Sequence, residues 1–394
     1  MKRSLERTNA TANETATAPA KAENAAVAGA RQAPPESARS FLSSLRPHVF
    51  ALSLMVVLAL VAAGCGQAPA EEPAEPEDVV LETPPAEEPG PEPAPPAPKP
   101  YRFPLTGIGT DEEPKSRPIA VLVENSPRAR PQDGLHKADL VYEILAEGDI
   151  TRFVAVYQSR EADVIGPVRS LRPYFAEIGH GLDALIVHAG WSQEAINYVR
   201  KHKLANFDQV YGDDKYYWRD KSRKAPHNLY TKTELIRQGA ADKKYREEWN
   251  AVSLLFHPED QPVPAPEGLP ARSVKVNYIA GYYVGYEYDE ATGRYRRLML
   301  GEPHVDKTSG EQLMADNILV LYAKHRIVDD VGRRKVNVTG PGEGWLIQKG
   351  VMRSVTWERK DGLIRPYIDG EEVPLVPGQT WIQIIPEGSK VEAE

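Results

Sequence analysis

The sequence predicts an α+β protein: an N-terminal mixed α/β domain followed by an all-β sandwich or partial barrel domain. Three observations carry this reading. Short apolar runs at 118–123, 140–145, 153–157 and 182–188 are interleaved with helical spacing in the first half. The second half shows period-two alternation and glycine turns. Between them, residues 258–270 hold five prolines, which rule out regular structure there. The expected domains are therefore 101–258 and 271–386, both of ordinary size.

Each element has its own local signal. In the first half, 118–123 is a short buried-type strand, and 140–145, 153–157 and 182–188 follow it. Trp191, Ala195 and Val199 recur at helical spacing, with Gly190 and Ser192 as start signals. Residues 231–245 form a further helix, with Leu235 and Ile236 as its apolar contacts. Leu171, Tyr174, Phe175 and Ile178 give another helical stripe, which places a helix start at Arg169 and Ser170. In the second half Val274, Val276 and Tyr278 alternate. Strands 282–288 and 295–300 flank a turn containing Gly293, and 318–322 is a buried strand. Residues 344–357 read as two strands joined near Lys349 and Gly350, and Asp369-Gly370 and Pro377-Gly378 are further turns.

The chain has 394 residues and a formal net charge of −8. That charge sits in one place: residues 66–100 carry nine acidic residues against Lys99 alone. The folded part is balanced, so it offers no electrostatic footprint for nucleic acid. The acidic stretch is rich in Pro and Ala and cannot bury a core, which makes it an extended spacer of up to roughly 100 Å.

Ahead of it lies the single cysteine, Cys65. It follows an uncharged apolar run of fifteen residues, 49–63, and Gly64, with Arg46 upstream. A basic flank, a short apolar segment and small residues before a cut describe a secretory signal. The run falls short of the ~20 residues a spanning helix needs. The expected order is a disordered or cytoplasmic n-region at 1–48, an apolar signal region at 49–64, and a linker at 65–100. One cysteine allows no intramolecular disulfide, and an exported domain with a large core does not need one.

Two polar phrases stand out in the first half: Gly166-Pro-Val-Arg-Ser-Leu-Arg172 and Lys224-Ala-Pro-His-Asn-Leu-Tyr-Thr231, the second preceded by Trp218-Arg219. His188-Ala-Gly-Trp-Ser192 lies between them at a strand end. Arginine forks recognise phosphate and carboxylate oxyanions with paired donors. Arg152, Arg169, Ser170, Arg172, His188, Arg219, His227 and Asn228 are therefore the candidate residues of one anion-binding cleft. The competing reading makes Arg169 and Arg172 ties to Glu143, Glu147 or Asp183. Ser192 lacks the second glycine of a nucleophile elbow. No zinc motif or dinucleotide loop is present, so no metal and no cofactor is expected. Trp345, Trp357 and Trp381 read as packing residues before they read as a sugar-stacking face.

A cysteine at the signal cut resembles the lipobox of bacterial lipoproteins. The resemblance implies that Cys65 is lipidated, becomes the mature N-terminus and holds the chain at the membrane. Several acyl chains make such an anchor stable. The lipobox, the acidic spacer, the three phrases and Pro377-Gly-Gln-Thr-Trp-Ile382 together resemble the YerB-type bacterial lipoproteins, over roughly 104–386. That family implies an envelope location and a two-part body, and supplies no activity. The order of Arg152, Arg169, His188 and Asp208 is also similar to that of the LytR-CpsA-Psr glycopolymer transferases. The acid those carry after the second arginine is Ser170 here, which argues against their metal site.

The leading expectation is an extracytoplasmic, lipid-anchored protein that binds an anionic envelope component, and a binding role is favoured over an enzymatic one. Two alternatives stay open: a phosphotransferase or hydrolase acting on lipid-linked or wall glycopolymer, and a structural or interaction protein without a ligand. Convergence of Arg169, Arg172, Arg219 and His227 on one pocket separates these readings. The oligomeric state is not legible.

Overall fold

The computed structural model describes residues 99–394, apart from 251 and 260. Cys65, the n-region, the signal region and all but the end of the acidic spacer lie outside the described residues. Among the described residues, no helix is long and apolar enough to cross a membrane.

A twelve-stranded sheet organises the molecule. Its first-half strands are β1 (Ile119–Glu124), β2 (Leu140–Leu145), β3 (Thr151–Tyr157), β4 (Leu185–His188) and β5 (Asn206–Asp208). Helices α1 (Pro173–Gly181), α2 (Gln193–His202) and α3 (Thr233–Asp242) connect or follow them. Every residue of β1, β2 and β3 is buried. Uniform burial is the signature of strands covered on both faces, and it explains why these runs read as continuous apolar blocks.

The second half contributes β6 (Ser273–Ile279), β7 (Tyr282–Asp289), β8 (Arg294–Met299), β9 (Asn317–Ala323), β10 (His325–Ile327) and β11 (Arg334–Val336). After them come β12 (Gly342–Gln348), β13 (Val351–Lys360), β14 (Leu363–Ile368), β15 (Thr380–Pro386) and β16 (Val391–Ala393). Ten of the strands in the large sheet run in the order β14-β13-β12-β9-β15-β2-β3-β1-β4-β5, and two short strands complete it: Glu371–Glu372 beside β14, and Leu269–Pro270 beside β13, so the stretch expected to hold no regular structure ends in a strand. β15 lies parallel to both β9 and β2. The proline-rich stretch at 258–270 therefore divides the chain but not the sheet, and the last long strand joins the two halves. A six-stranded antiparallel sheet holds β8, β7, β6 and β16. Folded structure thus continues past Pro386 into β16.

Side chains alternate across a strand, so each face of the large sheet has its own cover. Val121 and Val123 point into a core shared with α3 and with Val276, Tyr278 and Tyr286 of the six-stranded sheet. Ala120 and Leu122 point the other way, against Phe175 of α1 and Val199 of α2. The result is three layers: two helices, the large sheet, and α3 beside the smaller sheet. The fold is α+β with a β-rich second half, and its sheets are open. Trp357 and Trp381 are 1% and 0% exposed, which makes them packing residues.

One local expectation changes. The helix expected to start at Arg169 and Ser170 begins at Pro173, with Arg172 as its N-cap residue. Proline fits the first helical position because its missing N–H would be unpaired there. The Arg169 amide instead donates to Leu122 O at 2.8 Å, and Leu171 donates to Gly190 O at 3.0 Å. Those amides are committed to backbone carbonyls and are not free for an anion.

The two halves also meet at glycines. A Cβ on Gly181, at the end of α1, would overlap the carbonyl oxygen of Gly362 in the β13–β14 turn, and the reverse overlap holds as well. Gly181→Ala is therefore expected to lose roughly 1–3 kcal/mol by overpacking. Urea unfolding measures this, and a loss within experimental error would show that the contact yields.

Candidate functional site

The carboxyl ends of β1 and β4, the β2–β3 turn and the start of α1 bring most of the polar phrases to one region. The side chains gather there around two carboxylates. Glu124 ends the apolar strand β1 and is 3% exposed. Ser126 Oγ donates to it at 2.7 Å, and His227 Nδ1 lies 3.0 Å from each of its oxygens. Arg169 Nε forms an ion pair with it at 3.3 Å. Arg152 lies directly across from Glu124 in the β1–β3 register.

Glu147, in the β2–β3 turn, is the second carboxylate. Arg152 Nη2 donates to it at 2.9 Å, and Arg172 Nη2 contacts its other oxygen. Arg152 Nη1 also donates to Ser170 O at 2.6 Å. Burial alone would raise the Glu147 carboxyl, but Arg152 and Arg172 hold it below the usual carboxylate range. For Arg172 the reverse applies. Burial and then the neighbouring Arg152 charge both disfavour its cationic form, against the pull of Glu147. Two guanidinium groups share one carboxylate, which leaves an excess of positive charge in a partly buried place.

The same turn positions the β10–β11 hairpin. Glu147 forms an isolated bridge with Arg333, Gly148 N donates to Gly332 O at 3.2 Å, and Arg334 Nη2 donates to Gly148 O at 2.8 Å. Close backbone approach is possible because Gly332 has no Cβ; one there would press on the Gly148 amide. This docking places Arg333, Arg334 and Lys335 beside Arg172 around a cavity of about 370 Å³. Glu177, Glu194 and Asp329 line it too. Asp329 is engaged by Arg333 at 3.4 Å. The Nε atoms of Arg172 and Arg334 are buried and make no hydrogen bond.

Of the eight residues singled out from the sequence, Arg172 lines this cavity. Arg152 and Ser170 stand behind it. Arg169 and His227 converge on Glu124 instead. Arg219 Nη1 donates to Asn228 Oδ1 at 3.0 Å, and Asn228 Nδ2 donates to Asp220 O and Arg223 O, so these two close a loop. His188 is fully buried against Gly190 O at 3.0 Å and Asn206 Oδ1 at 3.3 Å. Burial keeps its imidazole below the ordinary range, against the pull of Asp208. The expected convergence of Arg169, Arg172, Arg219 and His227 on one pocket is thus not what the structure builds. The competing ties hold in part: Arg172 meets Glu147 as expected, whereas Arg169 pairs with Glu124, Asp183 with Arg117 and Arg246, and Glu143 with Arg297. Sequence reasoning missed Glu124, Arg333, Arg334 and Lys335. The three consecutive cations after Asp329-Asp-Val-Gly332 were the available signal.

A three-layer α+β body, entered after an acidic spacer and carrying a cationic cleft, defines a class of two-part proteins, and comparison with known families places the chain in one. Residues 105–246 match the family described as Protein of unknown function (DUF3048) N-terminal domain, and residues 274–382 match its C-terminal domain. The chain belongs to this family. It is 38% identical over 293 residues to the Bacillus subtilis (strain 168) protein named Putative lipoprotein YerB, covering 73% of this chain and 87% of that one. The crystal structure of YerB protein from Bacillus subtilis matches with a TM-score of 0.68 at 36% identity, over 74% of this chain and 99% of that chain. The YerB-type resemblance is therefore correct. The likeness to LytR-CpsA-Psr transferases rests on residue order alone.

Proposed function

We propose that this is a membrane-anchored lipoprotein that binds a phosphate-bearing, anionic component of the cell envelope in the cleft between α1 and the β10–β11 hairpin. The anchor follows from Cys65 and its apolar leader, and from the relative named a lipoprotein. One observation carries the ligand class: the guanidinium forks of Arg172 and Arg334 line one cavity together with Arg333 and Lys335, while Arg172 shares its carboxylate with Arg152. Cations that lack a full complement of carboxylates are stabilised by an anion that accepts from them. A phosphate group has enough acceptor oxygens to serve both forks. The cleft draws on both halves of the chain, so it is wider in origin than the first-half cleft that the arginine phrases indicate.

Calorimetric titration with inorganic pyrophosphate tests the proposal. Arg333→Gln and Lys335→Gln remove cations that are not structural ties of the core. Together they are expected to weaken binding at least about tenfold, the equivalent of one charge-assisted hydrogen bond. Thermal stability should stay nearly unchanged, as for other exposed charges. Equal affinity in the double variant would overturn the reading.

A further inference from the structure

The β10–β11 hairpin does more than line the cleft. It forms a two-stranded ribbon of its own, pairing His325 with Val336 and Ile327 with Arg334. One face turns inward: Val336 is 4% exposed, and burial pushes His325 down to about 4. The other face carries Arg326 and Lys335, both exposed and directly opposite each other.

The tip is anomalous. Ile327, Val328 and Val331 are 58%, 51% and 64% exposed. The turn that presents them is well tied: Val328 N donates to Arg333 O at 2.8 Å, and Asp329 Oδ1 accepts from the amides of Val331 and Arg333. These aliphatic side chains are held in water by a closed turn. Around them, residues 324–335 carry five cations, Lys324, Arg326, Arg333, Arg334 and Lys335, against Asp329 and Asp330. On the other wall of the cavity Ser192 is flanked by Trp191, which stacks on Tyr211 at 4.9 Å, and Tyr211 is 65% exposed.

We propose that the hairpin tip docks on an anionic lipid surface, with Ile327, Val328 and Val331 at the headgroup boundary and the flanking cations on lipid phosphates. Aliphatic tips with a basic collar bind such surfaces through apolar burial plus attraction to anionic lipid. Lysine and arginine stems reach from an apolar setting to the phosphate level. Five flanking cations match anionic headgroups, and three exposed aliphatics at one turn add the apolar burial that a membrane offers beyond an acidic protein surface. Asp329, already paired with Arg333, and exposed Asp330 limit the tip to the headgroup level. A tether from Cys65 keeps the body near the bilayer, so a weak contact is populated by effective concentration. The inference rests on the cleft reading only for the shared cations.

The full chain reconstituted in vesicles tests it. An environment-sensitive dye is attached through Val331→Cys, and through Glu290→Cys in the exposed β7–β8 turn as a control. The unsubstituted chain, carried through the same labelling, supplies the background from any Cys65 left without its lipid. With phosphatidylglycerol in the vesicles, the tip dye should shift to the blue and be quenched by headgroup-proximal nitroxide lipids. In pure phosphatidylcholine it should not, and the control dye should respond in neither. Arg326→Gln with Lys335→Gln should abolish the response. A tip dye that stays in water, or an equal response at both positions, would overturn the inference.

Pyrophosphate titration separates this from the cleft. The paired change Ile327→Ser and Val331→Ser, at positions that do not line the cavity, is read with the dye moved to exposed Asp330→Cys in parent and variant alike, and should lose docking and keep pyrophosphate binding. Pyrophosphate binding without any docking by the parent chain overturns the membrane inference alone. Docking without pyrophosphate binding overturns the cleft reading alone. Loss of both in the Ile327→Ser, Val331→Ser variant would show that the tip supports the cleft and would also overturn the inference.

Discussion

Arg297→Met is expected to destabilise the fold by roughly 3–5 kcal/mol, because it strands a buried carboxylate. Arg297 and Glu143 are both fully buried and meet at 2.6 Å. Glu143 also accepts from Tyr282 Oη at 2.5 Å and Thr151 Oγ1 at 2.8 Å. Those hydrogen bonds do not replace the guanidinium, so losing it leaves the carboxylate with donors but no counter-ion. Glu143 lies on β2 and Arg297 on β8, so the pair fastens the smaller sheet to the large one. Removing both charges with Glu143→Gln and Arg297→Met should recover part of the loss. Urea unfolding at neutral pH measures each variant. A single-variant loss under about 1 kcal/mol would mean that the network relaxes around the gap.

The same network makes stability depend on pH. His304 Nδ1 accepts from Arg297 Nε at 3.0 Å, and its Nε2 lies 2.8 Å from Gln132 Oε1. Burial, then the Arg297 charge, hold this imidazole well below the ordinary range. The unfolded chain takes up a proton near pH ~6.5 that the folded protein refuses. This contribution is therefore complete above that pH and is lost as the pH falls below it. His304→Gln should flatten the slope.

Trp381→Ala is the second large effect, expected at roughly 3–5 kcal/mol. The indole lies beneath the Arg297 guanidinium at 4.2 Å and meets the Phe153 ring edge-on at 5.8 Å. Its Nε1 donates to Met314 O and Gln379 Oε1, both at 3.2 Å. The residue sits on β15, the strand that joins the halves, so the cavity it leaves opens at the seam. Trp381→Phe keeps most of the volume and should cost distinctly less. Thermal and urea unfolding of the two variants give the comparison. Equal losses would point to the Nε1 hydrogen bonds as the larger part.

Much of this fold is legible in the sequence, and the missing parts share a cause. Residues 119–124, 140–145 and 151–157 are apolar on both faces because helices cover one side and α3 or the smaller sheet the other. Val274, Val276 and Tyr278 alternate because β6 has one buried face. Such patterns define which face a strand buries, but not its neighbour. The insertion of β15 between β9 and β2 joins segments more than two hundred residues apart and leaves no local trace. Pro173 was a readable start signal for α1, yet the apolar stripe beginning at Leu171 pulls the expected start upstream.

The site divides along the same line. Arg172 is legible from its own phrase, since a cation near a helix start opposes the helix dipole unless something anionic is close. Glu147 supplies part of that compensation. Arg333, Arg334 and Lys335 belong to the cleft only because the hairpin docks on Gly148, across 186 positions of sequence. The grouping of Arg169 and His227 on Glu124 follows from the three-dimensional meeting of a strand end and a distant loop.

The cleft itself is tested most directly by soaking crystals of the protein in tungstate, a tetrahedral dianion with a strong anomalous signal. The expected result is a peak in the cavity beside the guanidinium groups of Arg172 and Arg334, roughly 4 Å from the nitrogens that donate to the tungstate oxygens. Tungstate bound elsewhere on the molecule, with the cavity between α1 and the hairpin left without a peak, would contradict an anion-binding cleft.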